Sequence, residues 1–364
     1  MRIGIVTLIG NHNYGNRLQN YALEQVLKTK GTEVRTIEFD RTLPLSLKQS
    51  VKKPFSLVLN MLVKKRRMSK KMYKIKEKEI YPFTEKYLNN ISYKTQNLEN
   101  FDLFFVGSDQ VWNPHFSGDK SDLFLEFAPK NKRFSYAASF GVSEIPNEFK
   151  KGFSQFLSNM NKISVREEAG VRIVDDLTSK KATLVPDPTM LLTRLEWETL
   201  IESSKGGNVR TLGDGKLYIL LYLLHGLTRE RKSKIEKFAK KKGYVMIEIM
   251  GNFFDEKHLA ANPIEFLELV KNAEMVFTDS FHCGVFSIIF HIPFVVFERN
   301  DGAKMASRLH TLLKRFDLND NLYTEETDFE NLKSLMDFSR VDVVLEGWRQ
   351  VGMDFIDKSL ESAK

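Results

Sequence analysis

Short apolar runs alternate with amphipathic stretches along most of the chain. RIGIVTL reads as a buried strand, NRLQNYALEQVLKTKG has apolar residues at helical spacing and closes on Gly31, and EVRTIEF is again a strand, so the chain opens as a βαβ unit. DLFFVGSD, RFSYAASFG, KISVRE and ATLVPDP continue the strand series, with helices predicted over 147–160 and 167–177. SSKGGNVRTLGDGK, residues 203–216, has the composition of a linker. A second series follows: LYILLYLL, a helix through TRERKSKIEKFAKKKG, YVMIEIM, a helix around PIEFLELVKNA, AEMVF, CGVFSIIF and PFVVF. SRLHTLLKRF and VDVVLEGWRQVGMDFIDKSL are helices that finish the chain.

Alternating strands and helices in both halves predict an α/β protein of two Rossmann-like domains facing across a cleft. The first spans 1–200 and carries a basic, mostly helical insert at about 44–95; the second spans 214–364, with its last helix packing back on the first. A length of 364 residues fits two domains. Hydrophobic residues at 42% supply two cores and weigh against global disorder. Cys283 is the sole cysteine, which excludes a disulfide framework and fits a reducing cytoplasm. The start has no long apolar core of a signal peptide, and no run of about 18 apolar residues occurs, so neither general secretion nor a membrane span is expected.

Charge is localised. The net charge is +8, yet residues 48–78 hold twelve Lys or Arg against Glu77 alone, leaving the remainder mildly acidic. PFSLVLNMLVKKRRMSKKMYKIK joins an apolar stretch to that cationic run. About 52–78 suits a helix lying peripherally on an anionic membrane surface, the alternative being a helix that packs its apolar face on its own domain. Aromatic interleaving is thin, so nucleic acid is not an expected partner.

Polar clusters fall where strands should end. GNHNYGNRLQ places Asn13 and Asn16 among glycines suited to a tight turn, without a GxGxxG or Walker pattern. In GSDQVWNP, Asp109 and Gln110 could bind hydroxyls and Trp112 could stack on a sugar, or the segment could be a turn with a core Trp. Arg166 ends ISVRE, where a guanidinium can grip a carboxylate or phosphate. Asp187 sits between two prolines and reads as a rigid structural turn. Thr278 to His282 forms a polar knot between buried runs, with His282 at a strand's carboxyl end and a helix start, where anions bind. The bland reading is that Asp279 caps the helix and His282 is a core residue. Lys304 and Arg308 follow the last strand. Metal-ligand spacing and the GxSxG elbow are missing, so no metal or cofactor is expected.

Taken in order, GNHNYGNRLQNYAL, FFVGSDQVWNP, SYAASFG, ISVRE, VPDPTMLL, NAEMVFTDSFHCGVFSIIF and PFVVFER resemble the polysaccharide pyruvyl transferase family. The resemblance implies a fold like that of B-type glycosyltransferases. It also implies transfer of a pyruvyl group from phosphoenolpyruvate to a sugar of a glycan or lipid-linked oligosaccharide, as a ketal. It puts the family's catalytic His on His282, its strand-end Arg on Arg166, and a basic donor-binding position on Lys304 or Arg308. Ser280 stands where family members often carry Arg, removing one expected grip on the donor. On this reading His282 and Asp279 are catalytic, with Asp279 or Asp109 orienting the imidazole or the sugar. Arg166, Lys304, Arg308 and Ser280 bind donor, and Asn13, Asn16, Asp109, Gln110 and Trp112 bind acceptor. The alternatives are a nucleotide-sugar glycosyltransferase of the same architecture and a non-catalytic glycan-binding member.

Overall fold

A computed structural model describes residues 1–39, 74–95, 97–116, 120–204, 215–250, 259–298 and 307–363. The elements of the first half are β1 (Arg2–Val6), α1 (Tyr14–Thr29), β2 (Glu33–Glu38), a helix α2 over 74–87, β3 (Asn90–Ser92), β4 (Leu103–Val106) and β5 (Arg133–Ser135). They continue with α3 (Asn147–Ser158), β6 (Ile163–Val165), α4 (Glu168–Leu177), β7 (Ala182–Leu184) and α5 (Arg194–Ser204). The second half contains β8 (Tyr218–Tyr222), α6 (Arg229–Lys242), β9 (Val245–Ile249), α7 (Pro263–Lys271), β10 (Met275–Thr278) and α8 (Phe281–Phe290). It ends with β11 (Phe294–Val296), α9 (Ser307–Phe316), α10 (Phe329–Leu335) and α11 (Phe338–Glu361).

The first sheet runs β3-β2-β1-β4-β5 with all pairs parallel. Amides of Ser135 and Ala138 donate to the carbonyls of Lys162 and Ser164, which carries the layer on into the parallel pair β6-β7. The second sheet is β11-β10-β8-β9, again parallel. Parallel strands are covered on both faces, which is why β4 and β8 read as unbroken apolar runs and are wholly buried. Strand order reverses between β1 and β4 in one sheet and between β8 and β10 in the other; at such points the connecting loops diverge and leave a crevice at the carboxyl ends. The α/β class with parallel sheets is as expected from the sequence.

One apolar core crosses between the halves. Tyr14 of α1 stacks on Phe266 of α7 at 4.8 Å and meets Tyr222 of β8 at 5.5 Å. Trp197 of α5 packs edge-on against Phe286 of α8 at 5.0 Å while its indole N–H donates to the carbonyl of Thr189. α11 returns to the first half: Phe355 meets Tyr136 at 6.3 Å and Lys30 bonds Asp357 at 2.8 Å.

Some expectations fall elsewhere. Residues 40–73, 205–214 and 299–306 lie outside the described residues, and with them most of the basic insert, the expected linker and Lys304. Within the segment expected to be helical, β3 is a strand. Its sequence, NIS, has no apolar run to mark it. It pairs in parallel with β2, and just ahead of it the buried carboxylate of Glu24 accepts from the Asn89 backbone and side-chain amides. Among the described residues no helix is long and apolar enough to cross a membrane.

Gly352 lets α11 approach the first sheet closely. A Cβ there would lie 2.5 Å from the Tyr136 hydroxyl oxygen, 2.7 Å from Leu191 Cδ2 and 2.9 Å from Pro186 Cγ. Alanine in a helix gains about 1 kcal/mol over glycine, but overpacking costs about 1–3 kcal/mol and neither the buried tyrosine nor the proline ring yields cheaply. Gly352→Ala is therefore expected to lower stability in urea titration; an increase would show that α11 can move off without penalty.

Candidate functional site

Two helix starts meet at the crevice. Asn13 caps α1, its Oδ1 accepting the Asn16 N–H at 3.2 Å. α8 begins after Ser280, whose side chain makes no cap bond. The second residue of each helix is where they touch: a Cβ on Gly15 would run into the imidazole of His282. Glycine at this position is what lets the ring lie against the first turn of α1. The first turns of both helices thus meet at a buried imidazole, and a helix start carries a positive end-charge.

A buried cluster lies on the other side of that ring. Arg166, 1% exposed at the end of β6, donates from Nη1 to Asp187 at 2.6 Å and from Nη2 to Asp109 at 3.2 Å. Its guanidinium also lies 4.7 Å from the Phe281 ring centre. Asp187 Oδ2 accepts from Ser108 Oγ at 2.8 Å and stands 3.5 Å from His282 Nε2, an ion-pair contact longer than a hydrogen bond. The other oxygen of Asp187 accepts from the Thr189 N–H and hydroxyl. Burial alone would raise the Asp187 carboxyl, but His282 and Arg166 beside it hold it well below the usual carboxylate range. Asp109 is lowered for the same reason: burial opposes, and Arg166, His282, Arg308 and the Asn16 amide outweigh it. Glu167 goes the other way, raised by burial despite Arg166 and Arg308.

Several sequence candidates are brought together here. His282 and Arg166 share Asp187, and Asn16 Nδ2 donates to Asp109 at 3.1 Å. Arg308, 5% exposed on α9, is close enough to lower the carboxyls of Asp109 and Glu167. Ser280 is 6% exposed and its N–H donates to Thr278 Oγ1. Lys304 lies outside the described residues.

Other roles need correcting. Asp279 does not orient His282: its two oxygens accept the backbone N–H groups of Leu224 and His225 at 2.6 and 2.9 Å, and so it ties β10 to the loop after β8. Trp112 is fully buried, stacked 5.1 Å from Phe124 with its indole N–H on the Leu123 carbonyl, and so has no face open to a sugar. Gln110 Oε1 accepts from Asn113 Nδ2 at 2.7 Å and Asn13 Oδ1 is held by its cap bond, so each of these half-buried amides has its oxygen engaged. Arg166 already faces two carboxylates, so its charge organises the cluster and is not left over for a donor. Among the described residues no group of three or more His, Cys, Asp or Glu is placed to hold a metal ion.

The family model described as polysaccharide pyruvyl transferase matches residues 13–301, more than half of the 364-residue chain. The chain belongs to the polysaccharide pyruvyl transferase family. No curated protein matches it in sequence. Among solved structures it is similar to a UDP-GlcNAc 2-epimerase from Neisseria meningitidis, with 10% identity, 99% of each chain covered and a TM-score of 0.49. A UDP-GlcNAc 2-epimerase from Methanocaldococcus jannaschii shares 13% identity over 98% of this chain and 99% of that one, TM-score 0.49. The wall teichoic acid polymerase TagF shares 12% over 99% and 89%, TM-score 0.47. At such scores these likenesses carry nothing about what this family member binds.

The family match takes in α1, Asp109, Arg166, Asp187 and His282, but ends before Arg308. Sequence reasoning missed Asp187 as the carboxylate on His282, along with Ser108, and read Gly15 as a turn glycine that allows close approach to a ligand, not as the rest for the His282 ring. The signal for Asp187 was its place at the end of a strand, the same position that singled out Arg166; its flanking prolines drew the structural reading instead. It is both, since it also caps the short 3-10 helix Pro188–Met190.

Asp187→Asn leaves Arg166 facing a single carboxylate in a dry site, and removing one partner of a buried ion pair costs about 3–5 kcal/mol. Because the Asp187 carboxyl is depressed on folding, its contribution is fully present above the ordinary value of 3.8 and is lost as pH falls below it. Urea titrations across acid pH should show the wild type losing stability below about pH 4 and the variant, weaker at neutral pH, losing less. Parallel curves would refute this coupling.

Proposed function

We propose that this chain transfers the pyruvyl group of phosphoenolpyruvate onto a sugar of a cell-surface polysaccharide or its lipid-linked precursor, forming a pyruvate ketal. Family membership supports the class, and one observation carries the residue assignment: the His282 imidazole, backed by Asp187 and set between two helix starts.

Phosphoenolpyruvate carries roughly three negative charges, which the N-terminal N–H groups of α1 and α8 and the charge of Arg308 would offset. Arg166 acts one step back by fixing Asp187 and Asp109. In the reaction the protonated imidazole gives its proton to the methylene carbon, and Asp187 stabilises the charged ring beforehand. A sugar hydroxyl oxygen bonds to the resulting cationic carbon. Phosphate leaves with the carbon–oxygen bond pair, and a second hydroxyl closes the ketal. Of the two hydroxyl protons released, one restores the imidazolium and the other leaves on phosphate. Asp109, anchored by Asn16 and Arg166, is the carboxylate available to the acceptor hydroxyls. The absence of Arg at Ser280 leaves donor charge to Arg308 and the helix starts.

His282→Ala is expected to lower acceptor-dependent phosphate release from phosphoenolpyruvate at least ~100-fold with the fold retained by circular dichroism. Near-native release would sink the assignment, and turnover of a nucleotide sugar in place of phosphoenolpyruvate would sink the donor. Gly15→Ala, whose methyl takes the space of the ring, should also lose about 100-fold in kcat, since a misplacement near 1 Å carries that effect. Unchanged kcat would mean that the ring position in contact with α1 is not the working one.

A further inference from the structure

The apolar core that joins the halves ends on a charge. Phe281, the first residue of α8, is buried and belongs to that core, yet the guanidinium carbon of Arg166 lies over its ring, 4.7 Å from the centre. The same ring meets the neighbouring His282 imidazole edge-on, with the ring centres 5.3 Å apart and the planes at 86°. One side chain of the second half thus touches both the buried cation of the first half and the imidazole beside Asp187.

The hydrogen bonds of Arg166 leave that contact something to do. Nη1 donates to Asp187 Oδ2 and Ser108 Oγ, Nη2 donates to Asp109 Oδ1, and among the described residues Nε has no hydrogen-bond partner. Such bonds run close to the guanidinium plane, so they fix the position of the bonded edge and leave the group free to tilt about it. Tilting would carry Nη1 away from Asp187 Oδ2, the oxygen that stands 3.5 Å from His282 Nε2. An aromatic face against the guanidinium resists that motion, and the attraction between cation and ring is strongest where water is kept from both. The imidazole is bounded as well, by the first turn of α1 at Gly15 and by the edge-on ring.

We propose that Phe281 is a positioning residue, whose aromatic face holds the Arg166 guanidinium in the orientation that keeps Asp187 at the His282 imidazole. This rests on the pyruvyl transferase reading only for the turnover by which it is assayed. A space-filling role would be served nearly as well by leucine, because apolar burial is not directional; the role proposed needs the negative face of a π-system.

Two measurements on the full chain separate those roles, and the first needs no substrate. Asp187 is held below its ordinary value of 3.8, against burial, by His282 and Arg166, so its contribution to stability is lost as pH falls. In urea titrations Phe281→Leu should be less stable than the wild type at neutral pH and should lose less below about pH 4, since its carboxylate is less firmly held. A curve merely displaced and parallel to the wild type is what space-filling gives, and it would overturn the proposal. In the second measurement, acceptor-dependent phosphate release from phosphoenolpyruvate, Phe281→Leu should lower kcat ~10-fold or more and leave KM for phosphoenolpyruvate within about twofold. Increasingly fluorinated phenylalanines at position 281 keep the ring's shape and drain its negative face, and they should lower kcat step by step. Equal kcat along that series, or an effect on KM alone, would overturn the proposal. If the wild type releases no phosphate, the pyruvyl transferase reading fails and the urea comparison still decides the part played by the ring. Should Phe281→Leu not fold, the fluorinated series carries both measurements.

Discussion

A guanidinium held between two carboxylates in a dry interior is the constraint on which the site depends. Arg166, Asp109 and Asp187 come from the ends of β6, β4 and β7, so one buried cation fixes the separation of three strand ends. Burial of such a group is tolerated only with close partners on each side, and the reward is geometric. Asp187 is presented to His282 with one oxygen shared by Arg166, Ser108 and the imidazole and the other tied down by Thr189. An imidazole approached by an anchored carboxylate is set for proton transfer in a way that a free surface histidine is not.

The charge balance of the cluster limits what can hold an anion. Two aspartates offset Arg166, and Glu167 lies against the influence of Arg308. On the function proposed, a strongly anionic donor would be met largely by backbone N–H groups, which fits α1 and α8 bringing their first turns together at Gly15 and His282.

Much of the fold was legible in the sequence because parallel strands are buried on both faces and stand out as apolar runs, as in LFFV and YILLY. His282 and Arg166 were legible as polar residues at the carboxyl ends of such runs. What escaped is side-chain direction. Nothing in TDSFH distinguishes an Asp that turns to the imidazole from one that accepts two backbone N–H groups from the next loop, as Asp279 does. Trp112 was ambiguous for the same reason: a strand-end tryptophan can face a ligand or the core, and only the Phe124 stack decides. β3 escaped because what places it is distant in sequence: Glu24, which holds Asn89 just ahead of the strand, and the pairing with β2.

His282 and Asp187 belong to different sheets, so their contact is only as well defined as the packing that joins the halves. That packing is aromatic: Tyr14 on Phe266 and Trp197 on Phe286, with α11 closing over Tyr136. Two of these pairs lead straight into the site. Tyr14 immediately precedes Gly15, against which the imidazole rests, and Phe286 lies one helical turn beyond His282 on α8. Trp197 is bonded to Thr189, the residue that anchors Asp187. Large rigid rings at such an interface resist small displacements because close-packed interiors deform little. The apolar seam between the sheets thus sets the distance between the His282 imidazole and the carboxylate beside it, although no residue of the seam itself carries the charge.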